Sequence, residues 1–207
     1  MSGSRVLFWL LVCLSGFCSC FPKKHTLNFA ISHHNIKLQY DPGTHELTSV
    51  DTMSITYRQN VDQIYFFLHK TLRVERIGVA HQEFQSNEMK RGDIERVCRD
   101  LSEEWQHIVE NCHIVAFTIP KSLYSERIQI HYRGKINLMQ NSLVAWHPVV
   151  PNTQSTFNLT TLIPVDYQVI IKGDNQLEKV DDLWRLNQWN INHSQACCKL
   201  MVKHASG

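Results

Sequence analysis

Residues 127–136 read RIQIHYRGKI, and their alternation decides the fold. Ile128, Ile130, Tyr132 and Ile136 share one side of an extended chain, while Arg127, Gln129, His131, Arg133 and Lys135 share the other. Successive side chains of a strand point to opposite faces, so this is a strand with one face buried and one in water. The same period of two recurs in Ile36, Leu38 and Tyr40, in Leu47, Met53, Ile55 and Tyr57, in Ile64, Phe66 and Leu68, and in Val165, Tyr167, Val169 and Ile171. Asp41-Pro42-Gly43 supplies turn chemistry between the first two of these, which therefore read as a hairpin. Leu101, Trp105, Ile108 and Val109 depart from the pattern with helical spacing, and Ser102 can cap a first turn. Residues 101–110 are thus either a short helix or a polar excursion between strands. Many short strands with turn signals between them predict an all-β domain, a twisted antiparallel β-sandwich or open barrel, with at most a short helix near residues 101–110.

The chain has 207 residues, 43% of them hydrophobic, enough for one sizeable core. Its formal charge is +2, and Lys and Arg alternate with Asp and Glu instead of forming a stripe, which excludes nucleic acid as an expected partner. The N-terminus differs from the rest. Arg5 precedes an apolar run at residues 6–17 (VLFWLLVCLSGF), and small residues follow at Cys18, Ser19 and Cys20. This is the pattern of an export signal over residues 1–20, with residues 21–207 forming a single β domain. The run is shorter than the ~18–20 residues a membrane span requires, so no membrane span is expected. Export would place the domain outside the cytoplasm, secreted or periplasmic. Lipid attachment at Cys20 is an alternative processing route, although Phe17 and Cys18 fit its upstream positions poorly.

Removal of the signal leaves Cys98, Cys112, Cys197 and Cys198. In an oxidising compartment a Cys98–Cys112 disulfide would close a short loop between two strands, whereas adjacent Cys197 and Cys198 would face apart. Asn158-Leu159-Thr160 and Asn192-His193-Ser194 match the N-glycosylation acceptor pattern, alongside the plain reading of unmodified surface Asn.

Catalytic motifs are wanting. A thermolysin-type zinc site needs His-Glu-x-x-His on a helix; His45-Glu46 begins it, but position 49 is Ser49 and the context is a strand. His193 with Cys197 and Cys198 is the best local metal candidate and lacks a partner pair at recognisable spacing. His33 and His34, as neighbours on a strand, would face apart and sit at a surface or edge. Ser142 and Ser155 lie in no Gly-x-Ser-x-Gly elbow, and the eight glycines form no phosphate loop.

The order of segments resembles the N-terminal domain of aminopeptidase N-type zinc metallopeptidases. IKLQYDPGTHELTSVDTMSITYRQ is similar to that domain's first hairpin, and Leu68-His69 with Leu72-Arg73-Val74 to the next two strands. Tyr132 and Gly134 carry a Tyr-x-Gly strand, and AWHPVVP looks like a Trp-Tyr-Pro segment with His147 in place of the aromatic. FNLTTLIPVDYQVIIKGD follows with a strand, a Pro at a break, a second strand and a Gly-containing turn. The resemblance covers roughly residues 27–203 and implies a saddle-shaped antiparallel β domain that packs against a zinc-bearing catalytic domain. Gln140 lies broadly where a family Gln contacts substrate, but its flanking motif is absent, so the role is not carried over. No catalytic residue, metal ligand or cofactor is expected in this chain, zinc belonging to a separate catalytic domain.

Two functions fit. One is a non-catalytic exported domain binding a protein or peptide, for which Trp146, Trp184 and Trp189 are candidate anchors if they do not fill the core. The other is the cleft-forming part of a metallo-aminopeptidase whose catalytic domain lies elsewhere. A small-ligand carrier is less well supported, because nothing marks a closed even-stranded barrel.

Overall fold

A computed structural model describes residues 28–58, 61, 63–89, 101, 103–139, 144–151, 153–195 and 198–205. The strands are β1 (Phe29–Asp41), β2 (Glu46–Tyr57), β3 (Ile64–His69), β4 (Leu72–Val79), β5 (Gln82–Phe84), β6 (Asn87–Glu88), β7 (Cys112–Phe117), β8 (Ile128–Lys135), β9 (Ser155–Pro164), β10 (Tyr167–Ile171), β11 (Asp174–Val180), β12 (Trp184–Gln195) and β13 (Leu200–His204). One helix, α1 (Glu103–Val109), precedes β7. Residues 101–110 therefore take the helical alternative, and the chain is all-β as its alternation requires.

Eight strands form the main sheet in the order β11-β12-β9-β1-β2-β8-β4-β5. Two smaller sheets, β3-β7-β6 and β10-β13, accompany it. The main sheet is mixed, not purely antiparallel, because β1 and β9 run parallel from His33↔Thr156 to Gln39↔Leu162. Periodicity assigns residues to faces but does not name the neighbouring strand, so this pairing was invisible in the sequence.

The β1–β2 hairpin closes as its turn residues dictate. Asp41 Oδ1 accepts from the Gly43 N–H at 2.8 Å, Asp41 Oδ2 accepts from Thr44 Oγ1 at 2.9 Å, and His45 takes a left-handed φ of 59°. These bonds to the ionised form hold the Asp41 carboxyl below the usual range. Further along β1, a register shift between Ile31 and His33 moves the buried set from Phe29 and Ile31 to His34, Ile36, Leu38 and Tyr40.

Side chains from all three sheets meet in one core, which includes Ile36 and Tyr132 from the main sheet, Phe66 from β3 and Val202 from β13. A satellite cluster joins Trp105 and Ile108 of α1 to Phe67, Ile114, Ala145 and Val149. Trp146 fills the main core at 1% exposure. It is a packing residue, not an exposed anchor. Its indole satisfies its only donor by bonding the Cys198 carbonyl at 2.7 Å, which lets so large a ring be buried.

Candidate functional site

Polar side chains gather in one buried place. On β2, Ser49 and Asp51 take the inward positions between Leu47 and Met53. His34 of β1 lies opposite Met53, diagonal to Asp51, and its Nδ1–H donates to Asp51 Oδ2 at 2.6 Å. Residues 144–150 bring His147 alongside. Carbonyl oxygens only accept, so His147 Nδ1 donates to Pro148 O at 2.9 Å, and its Nε2 lone pair accepts the Cys198 N–H at 3.2 Å. The ring is thereby fixed as the neutral tautomer, and burial, reinforced by His34, pushes its pKa well below the ordinary value. His34 stacks on Phe157 at 4.8 Å, and His147 meets His34 edge-on at 5.1 Å. His147 thus packs as an aromatic ring, edge-on to Trp146 and Phe157 as well.

One donor atom from each of His34, Asp51 and His147 lies within 4.8 Å of the others, a spacing that raises the question of a metal. The donor chemistry does not fit one. His34 Nδ1 and Asp51 Oδ2 hold each other through a proton, and the His147 lone pair already has its hydrogen. All three residues are at most 2% exposed, which leaves no open position for the water that a catalytic zinc must carry. A further polar atom, Asp51 Oδ1, is buried without a hydrogen-bond partner, and the buried Tyr132 hydroxyl has Ser49 as its polar neighbour. Burial, then the nearby Asp51, raises the Tyr132 pKa well above the ordinary value. Ser155, the other serine weighed as a nucleophile, donates its hydroxyl to the Ile31 carbonyl at 2.7 Å. The arrangement is a structural knot tying β1, β2 and residues 144–150 to Cys198.

Parity could have revealed half of this. His34 shares the parity of Ile36, Leu38 and Tyr40, and Asp51 that of Leu47 and Met53. The expectation that both His33 and His34 sit at a surface holds only for His33, which bonds Thr156 Oγ1 at 2.8 Å. His34 is 2% exposed because it points to the core face of β1, where Asp51, His147 and Phe157 pack around it. The two do face apart.

The exposed candidate is the β11–β12 hairpin. Asp181 Oδ1 accepts from the N–H groups of Leu183 (2.9 Å) and Trp184 (2.6 Å), and the Leu183 carbonyl accepts from the Val165 N–H at 3.0 Å. This braced turn holds Leu183 at 70% exposure and Val180 at 52%. Trp184 begins β12 half-buried, and half-buried Trp189 packs against the main core. Arg185 and Glu178 form an ion pair across the same hairpin.

The remaining sequence candidates fall as follows. Cys112 donates its thiol to the Ile108 carbonyl at 3.1 Å and is pushed up to about 12 by burial. Its suggested partner Cys98 lies outside the described residues, as do residues 1–20 with Cys20, Gln140, Ser142, Cys197 and the His193 side chain. Glu46 is exposed beside the turn residue His45. Asn158 and Asn192 are both exposed.

Solved structures share this architecture. The M1 zinc metallopeptidase of Deinococcus radiodurans superposes with a TM-score of 0.64 at 15% identity, over 84% of this chain and 42% of that one. The fold is that of the M1 zinc metallopeptidase N-terminal domain. A second structure of the Deinococcus enzyme, a mutant bound to a Tyr-Ser-Ala substrate, gives a TM-score of 0.63 at 15% identity with the same coverage. Yeast LTA4 hydrolase in complex with bestatin gives 0.60 at 13% identity, over 86% of this chain and 29% of that one. The chain thus spans less than half the length of these solved proteins. No protein-family model and no curated protein sequence matches it.

Proposed function

We propose that the chain is a non-catalytic exported β domain that binds a protein or peptide through the tip of the β11–β12 hairpin. The supporting observation is the contrast between its interior and that tip. The ionisable groups clustered inside hold one another beyond the reach of substrate, whereas Leu183 and Val180 are held in water on a turn fixed by Asp181. Half-buried Trp184 beside this exposed apolar pair is of the residue type in which binding hot spots are enriched. The free edge of β11 is a poorer template, since Glu178 and Lys179 are exposed on it and its register slips between Asn175 and Leu177. No metal or cofactor serves this domain, and the export signal over residues 1–20, with or without acylation at Cys20, carries it to its partner.

The short coverage of the M1 structures favours a second reading, in which the partner is a catalytic metallopeptidase domain and this chain lines its cleft. Such an interface would leave a continuous apolar face on the isolated domain. Among the described residues the exposed large hydrophobic side chains are Ile170, Val180 and Leu183, which are too few for one. The first reading therefore stands ahead.

A photo-crosslinking residue at position 183, compared with one at exposed Lys121, tests the hairpin in the organism's exported fraction. The expected result is one defined adduct from position 183 that is lost when Val180→Asp is added. Adducts no stronger than those from position 121 would contradict the assignment, and a His-Glu-x-x-His protein in the adduct would establish the second reading.

A further inference from the structure

We infer that Asn158 and Asn192 are N-glycosylated together, placing two glycans on the outer face of the main sheet. The inference rests on the export reading. The acceptor tripeptides are local in sequence, but their placement is a property of the fold. On β9, Phe157 and Leu159 are buried and Asn158 between them is exposed. Thr160, two residues on, shares its face, so both acceptor groups lie on the solvent side. On β12, Ile191 is buried and Asn192 is exposed. Asn190 lies directly opposite Asn158, and although the β12 register shifts beyond Ile191, the exposure of Asn192 next to buried Ile191 puts it on the solvent side as well.

The donor is a lipid-pyrophosphate-linked oligosaccharide of a eukaryotic secretory pathway. The Asn amide nitrogen forms a bond to the anomeric carbon, the bond from that carbon to the pyrophosphate oxygen breaks, lipid pyrophosphate leaves, and the amide loses one proton to the transferase. Because Asn158 lies mid-strand, between Asn35 of β1 and Asn190 of β12, the transfer occurs on the chain before the sheet closes. Asn35 and Asn190 carry no hydroxyl residue two positions on and stay unmodified, although they share the face. The finished sheet would then be covered by carbohydrate around β9 and β12, leaving the hairpin tip as the open approach for a partner.

The test expresses the full chain in eukaryotic cells, together with a version whose residues 1–20 are replaced by an established export signal. Peptide-N-glycosidase should lower the apparent mass by two glycans, Asn158→Gln and Thr160→Val should each remove one, and Asn192→Gln should remove the other. Enzymatic release in heavy-oxygen water should label Asn158 and Asn192 while Asn35 and Asn190 stay unlabelled. Two glycans on the replaced-signal chain but none on the native chain would support the acceptor assignment while refuting the signal. Secretion of both chains without glycan would overturn the proposal and leave the export reading standing.

Discussion

At the scale of single residues, Gly134 shows what a motif position does physically. It pairs with Leu47 on one side and Leu72 on the other, in the middle of the main sheet. A Cβ there would overlap the Thr71 carbonyl oxygen and lie 3.0 Å from Leu72 Cα. Both obstacles are backbone and neither can rotate away. Gly134→Ala should therefore destabilise the fold by about 3 kcal/mol, the scale of a severe overpacking, and show as a lower urea midpoint with an unchanged slope. A midpoint within error of wild type would refute this account of the glycine. His147 makes a different prediction. Its folded pKa is depressed by burial and by His34, so below the unfolded value of ~6.5 the unfolded chain binds a proton that the native ring refuses. Stability from this residue is complete above ~6.5 and is lost as pH falls from there toward the folded value. Among the described residues, His34 and Asp51 are ionisable groups that lie beside it. Urea midpoints at pH 7.5 and 5.5 should fall more for wild type than for His147→Gln, and equal falls would sink the assignment.

At the scale of elements, legibility followed local pattern. The alternation of residues 127–136 became β8, and Asp41-Pro42-Gly43 became the turn it promised, with Asp41 paired to Glu46 across it. β12 was harder to read because its sequence, WRLNQWNINHSQ, is mostly polar, and it owes its place to pairing with β9 and β11 on its two sides. Residues 144–150 carry no period, so neither the burial of Trp146 nor the position of His147 could be inferred from neighbours in sequence. Helix α1 is too short to persist alone and holds through its packing. Trp105 and Ile108 lie on one face of it against Phe67 and Val149. Trp105→Ala should thus cost about 3 kcal/mol and selectively expose α1 amides to hydrogen exchange, leaving the amides of β1 and β9 protected. Uniform loss of protection across the main sheet would show that this cluster is not a separate satellite.

For the molecule as a whole, segment order was enough to point to the M1-type fold before any coordinates, although the sequence matches no family model. What order could not provide was the interior polar chemistry, since the His34–Asp51 contact joins two strands through a diagonal that only the three-dimensional register defines. That interior matters to the central claim, because the one grouping of metal-ligand types among the described residues is closed by its own hydrogen bonds. The most direct test is hydrolysis of aminoacyl-arylamides by the purified intact chain with added zinc, with bound zinc measured on the same sample. The account predicts no turnover above buffer and less than a tenth of a zinc per chain. Zinc-dependent turnover that stays with the chain through purification would contradict it.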